Sequence, residues 1–72
     1  MWYRVDFGYY MKEDNQGNQI EHYVGRHGFL YALSDEEAMK RAKEYFHKHP
    51  LKKLKIHSVA AVNFIPTFGF LS

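Results

Sequence analysis

Residues 3–11 read Tyr3-Arg4-Val5-Asp6-Phe7-Gly8-Tyr9-Tyr10-Met11. Every odd position is aromatic or aliphatic, while the even positions include arginine, aspartate and glycine. Side chains alternate between the two faces of a strand, so this stretch predicts a β-strand with its odd face buried. Trp2 and Tyr10 fall on the even face, which is therefore not wholly polar.

Glu13 to Gln19 is polar and rich in turn residues, the composition of a flexible hairpin loop. Ile20 to His27 is aromatic and β-branched and predicts a second strand. A bulge or bend is expected near Gly28, followed by a short extension from Phe29 to Ala32.

The helix signal begins at Ser34. Glu37 three residues later completes a capping box, and Leu33 is placed to pack on Ala38 as a hydrophobic staple. Ala38, Met39, Ala42, Tyr45, Phe46 and His49 recur at three- and four-residue spacing along one stripe. Pro50 disfavours helical geometry at His49 and stops the helix there.

Leu54 to Ile65 is the third expected strand. Leu54, Ile56, Val62 and Phe64 share one parity. Val59-Ala60-Ala61-Val62 is apolar on both faces, which implies cover on both sides or a bulge. Residues 66–72 are expected to form a fourth short strand or an apolar arm.

The order ββαβ constrains topology. A right-handed crossover through the helix lands the third strand beside the first. The expected fold is a single small α+β domain over residues 1–72, an antiparallel sheet of order 2-1-3 with one helix on one face. The other face, carrying Trp2, Tyr10 and either Tyr23 or Val59, is left for something else to cover.

Composition narrows the classes. Seventy-two residues leave room for one domain. Zero cysteines exclude a disulfide staple and every thiolate metal site. No run of ~20 apolar residues occurs, so no membrane-spanning helix is expected. Met1-Trp2-Tyr3-Arg4 lacks the apolar core of a signal peptide, and a cytoplasmic location is the expectation.

Charge is unevenly spread. From Met1 to Glu37 three basic residues oppose seven acids, a balance of −4. From Lys40 to Lys55 seven basic residues oppose only Glu44, a balance of +6. A helix dipole favours acids at its start and bases at its end, which explains part of this. It does not explain Lys52, Lys53 and Lys55, which lie beyond the helix.

Catalytic and metal chemistry find little footing. His47 and His49 are two apart and do not face together on a helix. His22 and His27 point to opposite faces of a strand. Ser34 is engaged in capping, Ser58 and His57 are strand neighbours on opposite faces, and Glu36 and Glu37 sit on an exposed helix face. No catalytic residue, metal site or cofactor is expected.

Two binding classes remain. Nucleic acid would need cations for phosphates and rings for stacking. Arg41, Lys48, Lys52, Lys53 and Lys55 are the candidates for the first role, with His57 beside them. Trp2, Tyr10, Tyr23 and Tyr31 are candidates for the second. Against this stand a pI of only about 8.9 and the acids Asp6 and Glu21 on the same sheet face. A lysine-lined edge also serves simply to prevent strand-to-strand aggregation.

Protein binding is the leading expectation. Aromatic residues make up 18% of the chain, more than one helix on one sheet can hide, and Trp and Tyr are enriched at interface centres. The expected anchors are Trp2, Tyr10, Tyr23, Phe68 and Phe70, with Glu13 and Asp14 engaging a basic partner. A homo-oligomer is an alternative way to cover the open face, as is the tail folding back over it.

In size, lack of cysteine and layout of one helix on a sheet, the chain resembles the small phage-encoded proteins that block host machinery, anti-CRISPR proteins among them. The resemblance is one of format. It implies a stoichiometric inhibitor or regulator that works by occluding a protein surface, often one that handles nucleic acid.

Overall fold

The computed structural model describes residues 1–67. The chain runs β1 (Trp2–Asn15), β2 (Asn18–Tyr31), α1 (Asp35–Lys48) and β3 (Lys55–Val62). The strands form one antiparallel sheet in the order β2-β1-β3, so the best-patterned strand is central. This is the expected α+β arrangement, with α1 on one face. Phe68 and Phe70 lie outside the described residues. No helix among the described residues is long and apolar enough to cross a membrane.

The odd face of β1 builds the core. Tyr3, Val5 and Phe7 are buried with Leu30, Ala32, Ala38, Ala42 and Phe46. The Phe7 and Phe46 rings meet at 4.8 Å between centroids. Removing either ring would cost about 3–5 kcal/mol, a large share of the stability of so small a domain. Tyr9, Leu51, Leu54, Ile56 and Val59 pack around this cluster. Ala38 and Ala42 expose nothing, so the helix sits close to the sheet.

The helix starts where its cap dictates. Ser34 Oγ accepts from the Glu37 N–H at 3.1 Å. Glu37 reaches back one residue further than expected, accepting from Leu33 N at 3.4 Å, and also holds Arg41 at 3.0 Å. The staple does not form, because Leu33 is 78% exposed. At the other end the His49 N–H donates to the Tyr45 carbonyl at 2.9 Å, and Pro50 follows.

Three further expectations change. The polar segment 13–19 is not a flexible loop: β1 and β2 pair through to Asn15 and Asn18. The turn is only Gln16-Gly17, with φ values of 55° and 83°. Two successive positive φ angles are the signature of the type I′ turn, whose twist matches that of the strands it joins. The backbone ladder carries this arm without a buried face.

Gly28 neither bulges nor bends β2. It pairs with Val5 in unbroken register and is buried on the helix side.

The bulge lies in β3 instead. Asp6 pairs with Ser58 and Phe7 with Ile56, so His57 is the extra residue. One extra residue reverses parity. Val59 therefore packs towards the core, not on the open face, and Val62 comes opposite Trp2 rather than sharing the face of Ile56.

Candidate interaction face on the uncovered side of the sheet

The even residues of β1 and the odd residues of β2 point away from α1. Cross-strand partners share a face, so the register places Trp2 with Tyr31, Arg4 with Phe29, Asp6 with His27, Gly8 with Gly25, and Tyr10 with Tyr23. The bulge adds His57 from β3.

The rings meet edge to face. Trp2 and Tyr31 lie 5.7 Å apart at 80°, and Tyr10 and Tyr23 5.3 Å apart at 68°. His27, Phe29 and Phe64 form a chain with 5.7 Å between neighbouring centroids. Tyr23 meets the His57 ring at 5.9 Å, and its hydroxyl hydrogen-bonds His57 Nε2. Tyr23 and Tyr31 remain 44% and 49% exposed and Phe64 52%, although each touches another ring.

Glycines shape the middle of this face. Above Gly8 the space is taken by the Tyr23 phenol, whereas above Gly25 there is nothing within 4 Å. A shallow depression of about 280 Å³ opens there, lined among others by Arg4, Asp6, His27 and His57. Asp6 is fully engaged: Arg4 donates to Oδ1 at 3.1 Å and Ser58 Oγ to Oδ2 at 3.2 Å. The Ser58 proton is thus directed at Asp6, while the adjacent His57 faces Tyr23.

The lysine corner sits at one end of the face. Lys53 adopts a positive φ of 52° in the turn before β3. That turn brings the Lys52 carbonyl to the Tyr10 N–H at 3.0 Å and Lys53 Nζ to 5.2 Å from the Tyr10 ring. Glu21 holds Lys52 at 3.4 Å and Lys53 at 3.5 Å. Burial acts to raise the Glu21 pKa. The charges and hydrogen bonds of Lys52 and Lys53 outweigh it, so the carboxyl lies below its ordinary range. Lys55 pairs with Gly8 on the same face.

The expected site residues divide into groups. Tyr10 and Tyr23 come together, while Trp2 joins Tyr31 near the opposite end. Glu13 and Asp14 ride at the tip of the arm, away from these anchors, with Glu13 on His22 at 3.4 Å. Lys52, Lys53 and Lys55 gather around the Tyr10–Tyr23 pair. Arg41 stands apart, donating to the Tyr31 carbonyl at 3.2 Å, and Lys48 stays on the last turn of α1.

His27, Phe29, Phe64 and the Arg4–Asp6–Ser58 network are additional members that the sequence reading did not include. Carrying the parity of Tyr23 along the expected strand would have found His27, and carrying it through Gly28 would have found Phe29. Among the described residues no three His, Asp or Glu side chains converge as metal ligands would.

No family model, curated protein or solved structure matches the chain.

Proposed function

We propose that this chain is a small non-catalytic protein-binding module that acts stoichiometrically, as an inhibitor or regulator, by laying its uncovered sheet face on a partner protein. The observation that carries this reading is the set of edge-to-face ring groups on the face opposite α1. Interface centres are rich in Trp, Tyr and Arg, with polar groups at the rim. Here Trp2, Tyr10, Tyr23, Phe29 and Tyr31 supply the apolar area, and Arg4 and Asp6 supply a paired, oriented polar centre. Edge-to-face contacts hold the rings before any partner arrives, which lowers the entropic cost of docking.

Single-stranded nucleic acid is the second reading, favoured by Lys53 over the Tyr10 ring with Lys52 and Lys55 nearby. Glu21 offsets two of these cations and Asp6 sits mid-face, which weakens it.

The test is a tagged pull-down with nuclease treatment, run on three proteins. These are the native sequence, a Tyr10→Ala/Tyr23→Ala variant, and a Lys52→Ala/Lys53→Ala/Lys55→Ala variant. The proposal expects a stoichiometric, nuclease-resistant protein lost with the tyrosines and kept without the lysines. Retention of nucleic acid that depends on the lysines would replace it with the second reading.

A further inference from the structure

The two edges of this sheet are built differently. The β3 edge is short, eight residues, bulged at His57, flanked by Lys52, Lys53 and Lys55, and followed by Pro66. These are the devices by which proteins blunt an edge against pairing. The β2 edge is 14 residues long, in unbroken register with β1, and contains neither lysine nor proline.

Its hydrogen-bonding groups can be placed residue by residue. Met1 N donates to the Ala32 carbonyl at 3.1 Å, and Ala32 N donates to the Met1 carbonyl at 3.0 Å, a reciprocal pair. In an antiparallel ladder such pairs alternate with non-bonded ones. With no register break, the even residues of β2 bond to β1 and the odd ones turn their N–H and C=O outward. Two observations agree: Tyr31 gives its carbonyl to Arg41, and Tyr10, opposite an odd residue, gives its N–H to Lys52 on the far side. Among the described residues, no hydrogen bond reaches the outward backbone groups of Gln19, Glu21, Tyr23, Gly25, His27 or Phe29.

We propose that this edge pairs antiparallel with the same edge of a second copy of the chain, about a two-fold axis at Val24, giving one continuous six-stranded sheet. A closed two-fold interface uses the same patch on both copies, and two equivalent edge strands then run antiparallel. The side chains select the register. With the axis at Val24, Glu21 faces the partner's His27, and Tyr23 faces the partner's Gly25, whose surroundings are empty. On the helix side Val24 meets the partner's Val24. His22, which carries the Glu13 carboxylate at 3.4 Å, faces the partner's Arg26. Moving the axis to Tyr23 sets Glu21 against the partner's Gly25, and moving it to Gly25 sets Glu21 against the partner's Phe29. Both lose the Glu21–His27 pairing, in which a ring N–H can donate to the carboxylate. The inference rests on the β2 edge and stands apart from the reading of the open face.

The chain has no cysteine, so single cysteines can map this interface. Under mild oxidation Val24→Cys should give a disulfide-linked dimer. His22→Cys and Arg26→Cys should not, because each would lie about 13 Å from its own symmetry mate at ~3.3 Å per residue. Sedimentation velocity gives the second arm. His27→Glu, facing the partner's Glu21, should weaken the dimer several-fold to about tenfold, and His27→Lys should tighten it. A variant that merely disturbed the fold would not move the two substitutions in opposite directions. Cross-linking that peaks at another position, or a native chain that stays monomeric up to about 1 mM, overturns the proposal.

Discussion

The phenol of Tyr23 lies across Gly8 and hydrogen-bonds His57 on the far side of β1. Gly8 is thus the floor over which β2 and β3 touch across the central strand. A methyl group there would occupy the place of the Tyr23 hydroxyl. Gly8→Ala should keep the fold but displace the ring. Loss of the hydrogen bond costs about 0.5–1.5 kcal/mol, and the stiffer backbone returns about 0.4–1 kcal/mol. Stability should therefore fall by no more than about 1 kcal/mol, while proton NMR contacts from Tyr23 to His57 disappear. Persistence of those contacts would refute the account.

Glu21 ties the lysine corner to the hairpin. Its carboxyl has a lowered pKa in the folded state, so its contribution to stability is present above the ordinary value of 4.5 and is lost as pH falls through the folded value. Glu21→Gln should flatten the acid limb of a denaturation profile below that pH. It should also free Lys52 and Lys53, and binding of a single-stranded oligonucleotide should rise. The rise should shrink with added salt, as expected for exposed cations.

Tyr3 gives the opposite pH signature. Its hydroxyl donates to Asp35 Oδ1 at 2.8 Å, joining β1 to the first residue of α1. That hydrogen bond, then burial and the charges of Asp35 and Glu37, raises the phenol above its ordinary pKa of 10.0. A raised folded value means the stabilisation is complete below pH 10 and is lost as pH climbs through the folded value. Denaturant titrations of Tyr3→Phe should show a lower midpoint at neutral pH and a flatter alkaline limb than the native chain. An unchanged alkaline limb would remove Tyr3 from this role.

The hairpin turn leaves room for improvement. Gln16 adopts a φ of 55°, a conformation that costs most residues about 1–2 kcal/mol and asparagine less. Gln16→Asn creates the Asn-Gly pair that type I′ turns favour. The substitution should stabilise the domain by about 0.5–1 kcal/mol, raising Tm by several degrees on the scale usual for a domain of this size. A lower Tm would mean that the turn geometry is wrong.

The parts of the fold that could be read in the sequence are those whose cause is local. The alternation of Tyr3, Val5 and Phe7 is a strand's own geometry. Ser34 and Glu37 mark a helix start within four residues, and chain order then orders the sheet. The turn escaped because Gln16 is not a residue that advertises a positive φ. The bulge at His57 reflects how β3 meets Asp6 and Phe7, some fifty positions earlier in the chain, and no short window contains that. Gly28 looked like a break because a glycine in a strand has several uses, and only the packed face shows which applies. The open face was legible as far as Tyr10 and Tyr23; His27 was within reach of the same parity, and only Phe29 was hidden behind that supposed break.

The Gln16-Gly17 turn also sets the order in which the sheet can assemble. Zipping outward from two residues closes almost no loop, so β1 and β2 can pair within microseconds, before any other element. Bringing β3 onto β1 must close a loop that includes the whole helix, which costs more entropy than closing the hairpin. During biosynthesis the hairpin is complete once Tyr31 has emerged, while the partner for the other side of β1 has yet to emerge. For that interval both flanks of the ribbon are bare, and the nascent chain depends on speed of completion, or on a chaperone, to avoid pairing with its neighbours.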